Sequence, residues 1–278
     1  MSQRTLSISE AVATTRPKTL PPSSSLPWRR AAWWVLPLAA PLALLLCWAV
    51  TVRLDVVSSQ VLVPPGKVLA TFVHLARSGE LARNLEKSLI RLLVGFSVGA
   101  SSGLALGIAM GASRVVEQMA SPLFQVVRQV PSVALIPALI LILGVDETFK
   151  IVIVAKATLF PIALAAFQGV RSVPKLYLEV AAVHRLPAHA LVRRLLVPAT
   201  VPHVVAGVRT SLGRAWMVLV ASELVAADSG VGQMMEMGRQ MFRIDVVMVG
   251  VFMTGLVGLL FDGAVRLVER RVARWKQP

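Results

Sequence analysis

Several cationic side chains lie inside long apolar segments of the sequence, where a charge is costly. Lys156 and Arg214 are each flanked mainly by apolar residues. A charge at the centre of a bilayer costs at least about 2.5–3.5 kcal/mol, so such a side chain must pair with a carboxylate or line water. Ammonium and guanidinium groups that line water bind oxyanions well. The two residues are therefore candidates for an anion pathway. The alternative is that they pair with Glu223 and Asp262 and only hold helices together.

A basic stretch punctuated by prolines interrupts the apolar sequence. Residues 178–202, LEVAAVHRLPAHALVRRLLVPATVP, contain three arginines and two histidines. A first helix should end near Arg185, and Pro187 suits the first turn of a second helix. Pro198 and Pro202 should end that second helix and start the next apolar segment. The pattern predicts a helix–turn–helix at the membrane surface, which fits either a lipid-contacting amphipathic helix or a protein docking site.

The apolar segments predict an all-α, polytopic membrane protein. The chain has 278 residues, of which 56% are hydrophobic and only 15% charged, far less charge than a soluble domain carries. About 20 apolar residues cross a bilayer. Six spans are predicted, at residues 31–52, 89–111, 130–145, 149–170, 201–226 and 246–268. The third is short and contains Pro131 and Pro137, and the alternative for it is a kinked helix that starts near Pro122.

The distribution of Lys and Arg predicts the orientation. The N-terminal tail, the loop at 171–200 and the C-terminal tail from residue 266 each carry five basic residues, whereas the loops at 146–148 and 227–245 are mainly acidic. Because cytoplasmic loops carry the excess of Lys and Arg, both termini should lie in the cytoplasm. This distribution also accounts for the net charge of +15 without a nucleic-acid partner. Residues 1–30 should form a disordered cytoplasmic tail, with residues 31–278 as the transmembrane domain.

The second predicted span contains a ladder of glycines. They recur every fourth residue, at Gly95, Gly99, Gly103, Gly107 and Gly111. At 3.6 residues per turn, this spacing produces a slowly spiralling groove along a helix. Small residues at such spacing let another helix backbone approach closely, so we expect a packing role rather than ligand binding.

Catalytic motifs are missing from the sequence. It has neither the HExxH motif of a zinc enzyme nor the GxxxxGK[ST] loop that binds nucleotide phosphates. The four histidines do not cluster, and the single cysteine, Cys47, cannot form a disulfide within the chain. We therefore expect no enzymatic activity, no metal site and no cofactor bound by this chain. A secondary transporter is also disfavoured, because no inverted repeat is visible.

The order of several segments resembles that of a known family. Glu179 opens a Glu-x-Ala stretch that is followed by prolines 19 and 23 residues later, and this pattern is similar to the EAA loop of binding-protein-dependent ABC importer permeases. The resemblance covers roughly residues 60–275. It is strongest to the branch that carries aliphatic sulfonates, taurine and nitrate. The segments that support it are SLIRLLVGFSVG, RQVPSVALIPALILILGVDETFKI, TLFPIALAAFQGVR and SLGRAWMVLVASELVAADSGVGQMM.

This resemblance implies the fold, the partners and the roles of several residues. It implies a type I ABC importer permease in a bacterial inner membrane, as a homodimer or half of a pair. Two copies of a cytoplasmic ATPase would bind the ATP, and a periplasmic solute-binding protein would deliver the solute. An aliphatic sulfonate is the first candidate, with taurine, nitrate, a small aromatic anion or a pyrimidine precursor as alternatives. The loop at 171–200 would enter the ATPase through Glu179, Ala181, Ala182, Arg185, Pro187, Pro198 and Pro202.

If the chain is such a permease, its charged residues in and near the spans are candidates for the solute path. Lys156 and Arg214 would contact the solute, and Glu223 and Asp228, near the outer end, would dock the binding protein or gate the path. One position departs from the family pattern, since Arg185 stands where the family usually has glycine. Glycine adopts positive φ without steric cost and arginine does not. We therefore expect Leu186 and Pro187 to supply the turn instead.

Overall fold

The computed structural model describes residues 27–54 and 62–273, and these residues form helices and short connections with no strand. The predicted all-α fold is therefore confirmed. The tail at 1–30 lies almost wholly outside the described residues. The helices are α1 (Pro27–Arg53), α2 (Pro65–Arg77), α3 (Glu80–Ala112), α4 (Arg114–Gln129), α5 (Ile136–Leu143), α6 (Glu147–Arg171), α7 (Lys175–Val183), α8 (Ala188–Leu191), α9 (Val197–Val225), α10 (Val231–Gln240) and α11 (Ile244–Ala273).

Among the described residues, four helical segments are long and apolar enough to cross a bilayer by themselves. They are Glu80–Ala112, Glu147–Arg171, His189–Val225 and Ile244–Arg271, and they correspond to the second, fourth, fifth and sixth predicted spans. The described apolar part of α1, Ala39–Arg53, coincides with most of the first predicted span. Helix α1 belongs to a separate compact unit that ends at Val56, and the other helices form the second unit.

The third predicted span, residues 130–145, is not a single helix. It begins earlier, as α4, and then turns by 85° before a short 3₁₀ turn (Val133–Leu135) and α5. The helix begins at Arg114 rather than near Pro122, which is accommodated inside α4, and the kink lies at Pro131. The reason is local: Pro131 has no N–H group and disfavours a helical residue before it, and Val130 is accordingly extended at φ −70° and ψ 118°.

The glycine ladder lies at the contact between α3 and α6. A Cβ atom added to Gly99 would lie 2.4 Å from the carbonyl oxygen of Ala155, and one added to Gly107 would lie 2.2 Å from that of Ala163. The other three glycines face α6 at similarly short distances. The two helices therefore touch along the whole ladder, and their backbones meet at Gly99, Gly103 and Gly107, an approach that glycine permits.

Helix α9 completes the central layer by packing on the other side of α6. Gly207 on α9 lies against Ala165, and Gly169 on α6 lies against Thr200. The indole nitrogen of Trp216, a buried residue of α9, donates a 2.9 Å hydrogen bond to the Thr254 carbonyl of α11. Helices α3, α6 and α9 thus form a close-packed frame that fixes the side chains described next.

Candidate functional site

A cavity of about 790 Å³ lies between the bend after α4 and the facing sides of α6 and α9. The last turn of α4, α6 and α9 each contribute one cation to its wall: Arg128, Lys156 and Arg214. None of the described residues that line the cavity is an Asp or a Glu. The cavity therefore combines positive charge with an otherwise mostly apolar wall, which suits a small organic anion.

Polar side chains of the cavity are spaced along the axes of two helices, α6 and α9. Lys156 and Gln168 lie on the same wall of α6 and are separated by about 18 Å along the axis, at 1.5 Å per residue. His203 and Arg214 lie on α9, separated by about 16 Å. Apolar side chains such as Phe160 fill the space between them. The cavity is thus elongated, with polar groups near both of its ends.

The three cations differ in their hydrogen bonding. The Lys156 ammonium donates a hydrogen bond to the Val130 carbonyl at the end of α4, and its nitrogen lies 6.0 Å from the centre of the Phe160 ring. Within the described residues, Arg128 and Arg214 form neither a hydrogen bond nor an ion pair. Lys156 therefore also holds the bend against α6, while the two guanidinium groups are left to interact with water or a solute.

The carboxylates that were the alternative partners of Lys156 and Arg214 are engaged elsewhere. Asp262 accepts a 2.7 Å hydrogen bond from Arg209 and a 2.6 Å hydrogen bond from Arg266. Glu223 pairs with Arg91 on α3, at 2.9 Å. The simple pairing alternative is therefore wrong for Lys156 and for Arg214.

A buried ionic cluster joins α3, α6 and α9 at the opposite end from α7. The Arg91 guanidinium donates two hydrogen bonds to the Glu147 carboxylate, at 2.5 and 2.6 Å, besides its pair with Glu223. Glu223 also accepts hydrogen bonds from the Ser88 hydroxyl, at 2.8 Å, and from the backbone N–H of Gly232, at 3.0 Å. Helix α3 and the start of α10 are thus bonded directly to the Glu223 carboxylate, and α6 joins them through Arg91.

Asp228, in the loop after α9, differs sharply from Glu223 in exposure. The Asp228 side chain is 87% exposed, although its carboxylate lies 3.8 Å from Arg91 and 3.9 Å from the buried Lys150. Glu223 is fully enclosed and cannot touch a partner in this structure. Of the two residues assigned to docking, only Asp228 is therefore placed for contact with another protein, and a gating role for Glu223 stays a prediction.

Helix α7 presents an apolar surface on the opposite side of the molecule. Leu176, Tyr177, Val180 and Val183 are all exposed, and Ala181 is the one fully buried residue of this helix. Glu179 and Ala182 are exposed as well. An exposed apolar surface of this kind marks a site that another protein or the membrane covers.

The turn after α7 is made by Arg185 itself, so the prediction that Leu186 and Pro187 would supply it is wrong. Arg185 has φ +48°, in the left-handed region. Its N–H donates to the Ala182 carbonyl and the N–H of Leu186 donates to the Ala181 carbonyl, both at 3.0 Å. These two bonds form a Schellman motif, in which the residue at the Arg185 position must have positive φ. The arginine adopts the conformation that glycine would favour because these bonds hold it there.

The second helix of the loop does not end at Pro198, which is a further correction. The chain is helical without a break from His189 to Val225, and residues Val192–Leu196 form a π-helical turn. Proline cannot donate the α-helical hydrogen bond, and its ring crowds the carbonyl four residues earlier. The wider π turn directly before Pro198 gives that carbonyl room. Pro202 lies inside the same helix, so both prolines are accommodated in it.

Comparison with known proteins agrees with this architecture. The family described as the binding-protein-dependent transport system inner membrane component matches residues 103–274. The chain belongs to this family. It is therefore the multi-pass permease component of an ABC importer in a bacterial inner membrane, a system that also includes an ATP-binding component and a solute-binding protein.

Three similar proteins place the permease more closely. It is 38% identical to the aliphatic sulfonates transport permease protein SsuC of Bacillus subtilis (strain 168), over 90% of this chain and 91% of the relative. It is 36% identical to SsuC of Escherichia coli (strain K12), over 88% and 92% of the two chains. The MetNI methionine ABC transporter, in an inward-facing conformation, shares the fold with a TM-score of 0.61 at 19% identity, covering 71% of this chain and 98% of that one.

Two features of the permease site escaped the sequence analysis. Arg91 lies inside the predicted span 89–111. A charge there is as costly as the charge of Lys156, so the sequence already indicated that Arg91 must pair with a carboxylate or line water. Arg128 lies just before Pro131, and it joins the cavity only because the chain bends there by 85°. Nothing in the sequence alone indicated the direction of that bend.

Proposed function

We propose that this permease carries a small organic anion, foremost an aliphatic sulfonate, into the cytoplasm. The observation that carries the proposal is the cavity with Arg128, Lys156 and Arg214 in its wall and no carboxylate among its described lining residues. Guanidinium and ammonium groups donate charge-assisted hydrogen bonds to a sulfonate. The names of the two similar SsuC proteins support the same solute class.

The composition of the cavity favours an alkanesulfonate over the alternative solutes. Phe160, Leu164 and Met217 offer apolar contacts to an alkyl chain, and nitrate has no such chain to bury. The ammonium group of taurine would meet three cations without a carboxylate to receive it. A neutral pyrimidine precursor would leave the cations without a counter-charge. The binding protein contributes further selection before the solute reaches the cavity.

Coupling to ATP hydrolysis is proposed to run through α7 and the continuous helix that follows it. The exposed side of α7 enters a cleft of the ATPase, with Glu179, Ala181, Ala182, Arg185 and Pro187 at or beside the contact. Helix His189–Val225 carries Pro198, Pro202 and Arg214, so it joins the coupling loop directly to the cavity wall. A rigid helix transmits a displacement at one end to the other, which is how packed helices alternate between two arrangements.

The proposed assembly contains two copies of this permease and two ATPase subunits. ATP binds to the ATPase pair, and the chain itself binds no cofactor. Six spans place both termini in the cytoplasm, with the arginines of the α7–α8 loop on the inner side and the Arg91 cluster on the outer side. Asp228 then faces the periplasm, where the solute-binding protein docks. Lipid covers the apolar perimeter of the pair.

Growth of a deletion strain tests the solute. Such a strain is grown with sulfate, ethanesulfonate or taurine as the sole sulfur source, and with nitrate as the sole nitrogen source in parallel. We expect growth to be lost on ethanesulfonate alone and to return when the wild-type gene is supplied. Arg214→Gln supplied in the same way should not restore it, whereas Arg83→Gln, at the outer surface, should. Normal growth of the deletion strain on ethanesulfonate, with no redundant transporter present, would overturn the assignment.

A further inference from the structure

Helix α4 has a complete polar side that the cavity uses only at one end. Successive residues of a helix are rotated by about 100°, which sorts α4 into three sides. The polar side contains Arg114, Glu117, Gln118, Ser121, Gln125, Arg128 and Gln129, and no apolar residue falls within this arc. We call these seven residues the α4 polar arc.

The other two sides of α4 are apolar and already accounted for. Phe124 is buried and packs on α6, where its ring centre lies 5.0 Å from that of Phe160, and Val116 and Ala120 lie on the same side. Val115, Met119, Leu123 and Val126 are between 65% and 77% exposed and form the side that suits lipid. The α4 polar arc faces neither α6 nor the lipid side, and most of its residues are exposed in the single chain.

Cations stand at both ends of the α4 polar arc. Arg128 lines the large cavity, and about 21 Å away along the helix Arg114 lines a second cavity of about 360 Å³. Arg171 of α6 and Glu117 form an ion pair in the wall of that second cavity, which Gln118 and Ser121 also line. The three arginines and one glutamate leave a net positive charge, so the ends of the arc both attract anions.

The position of the second cavity fixes its side of the membrane under the proposed topology. Arg171 is the last residue of α6, and α7 begins at Lys175. The Arg114 end of the arc therefore lies at the level of the coupling helix, on the cytoplasmic side. The Arg128 end lies at the large cavity, deeper in the bilayer. A polar side that spans this depth must face water or another polar surface, because unpaired polar groups in lipid are costly.

We propose that the α4 polar arc lines the inner part of the solute path. The anion leaves the Arg128, Lys156 and Arg214 cavity along Gln125, Ser121 and Gln118 and reaches the cytoplasm beside Arg114 and Arg171. Amide and hydroxyl side chains donate hydrogen bonds to the sulfonate without holding it tightly, which suits passage between two cationic sites. This inference rests on the proposed function for the nature of the solute, whereas the wet, cationic arc can be tested without any solute.

Single cysteines placed along α4 test the arc in the full transporter. The chain has one cysteine, Cys47, which is exposed, so Cys47→Ser provides the background. Cysteines replace Gln118, Ser121 and Gln125 on the arc, or Met119, Leu123 and Val126 on the lipid side. Inside-out vesicles that contain permease, ATPase and binding protein are treated with 2-sulfonatoethyl methanethiosulfonate, which is itself an alkanesulfonate. The trimethylammonioethyl reagent, with the same reactive group, serves as the cationic counterpart.

The expected result is a helical pattern of labelling. Because only a hydrated thiolate reacts, the three arc positions should react at least about tenfold faster than the three lipid-side positions. At the arc the ratio of the anionic to the cationic reaction rate should exceed the ratio measured with a free thiol in solution, and adding Arg114→Gln should lower it. Unreactive arc positions would show that this side is shielded from water and would overturn the proposal. A ratio equal to that of the free thiol would overturn its anionic part.

Transport by charge variants separates this inference from the proposed function. Gln125→Glu should lower ethanesulfonate uptake strongly while Gln125→Lys preserves most of it, and Leu123→Met, on the lipid side, serves as the control. Unchanged uptake by Gln125→Glu in a wild type that transports ethanesulfonate would overturn the arc as a path. A wild type that transports no sulfonate, with the labelling pattern as expected, would instead overturn the proposed solute.

Discussion

The Arg91 guanidinium lies 2.9 Å from the Glu223 carboxylate, and this buried pair joins α3 to the C-terminal part of α9 across 132 residues of sequence. Arg91 also bonds to the Ser229 carbonyl, at 2.6 Å, and thereby holds the loop after α9. Backbone N–H groups of Gly230 and Val231 add bonds to Asn84 and Ser88 of α3, both at 3.0 Å. The end of the central frame opposite α7 is therefore held together by charge and hydrogen bonding as well as by apolar packing.

Removing Arg91 should destabilise the protein severely. Arg91→Ala leaves the Glu223 carboxylate buried without a counter-charge, a change that costs about 3–5 kcal/mol in comparable pairs. The measurement is the thermal unfolding midpoint of the purified permease in detergent. Arg239→Ala is the matched control, because Arg239 pairs with Glu236 at the surface of α10. A midpoint for Arg91→Ala equal to that of the control would contradict the structural role of the cluster.

The glycine ladder should tolerate no side chain at its closest point. Gly107→Ala places a methyl group 2.2 Å from the Ala163 carbonyl oxygen, and neither backbone can yield without separating α3 from α6. We expect a large drop in the thermal midpoint and in the amount of protein inserted in the membrane. Gly255→Ala on α11, where a Cβ atom would meet nothing within 4 Å, is the control. If Gly107→Ala reaches the same amount in the membrane and the same thermal midpoint as Gly255→Ala, the contact between α3 and α6 is not as close as described.

The left-handed turn at Arg185 should respond in opposite ways to two substitutions. Arg185→Gly relieves about 1 kcal/mol of backbone strain and should keep both transport and stability. Arg185→Pro cannot reach φ +48°, because proline fixes φ near −65°, and should abolish coupling. Binding-protein-stimulated ATPase activity of the assembled transporter reports the outcome. Complete loss of stimulation in Arg185→Gly would mean that the arginine side chain, and not the turn, is what the ATPase needs.

The cavity cations should act on transport without affecting assembly. Arg214→Gln removes a charge-assisted interaction of about 1.5–3 kcal/mol and should reduce uptake at low solute concentration by about 10- to 100-fold. Arg214→Lys keeps the charge and should retain part of the activity. Co-purification of the ATPase with each variant shows that the complex is intact. Full uptake by Arg214→Gln in an intact complex would remove Arg214 from the path.

The parts of this fold that sequence reasoning predicted are those set by local patterns. The five glycines at a four-residue interval indicated a close helix contact, since that interval places them on one side of a helix. Prolines and hydropathy located the turn near Arg185 and most of the spans. Positions that depend on distant partners were not accessible in this way. The sequence gives no sign that Glu223 meets Arg91, because 132 residues separate them.

Two local expectations failed because context outweighed the preference of a residue type. Arg185 adopts positive φ because two backbone hydrogen bonds at the end of α7 require it. Pro198 does not end its helix because the π turn before it absorbs the conflict. In each case the preference is worth only about 1–3 kcal/mol, which surrounding bonds and packing can exceed.

The most direct test of the account is ATP-dependent uptake of labelled ethanesulfonate by proteoliposomes that contain the permease, its ATPase and its binding protein. We predict uptake that requires both ATP and the binding protein, and that falls about 10- to 100-fold in Arg214→Gln while Arg83→Gln transports normally. Absence of ethanesulfonate uptake from a complex that hydrolyses ATP in response to the loaded binding protein would contradict the sulfonate assignment. Equal uptake by Arg214→Gln and wild type would contradict the cationic cavity as the path.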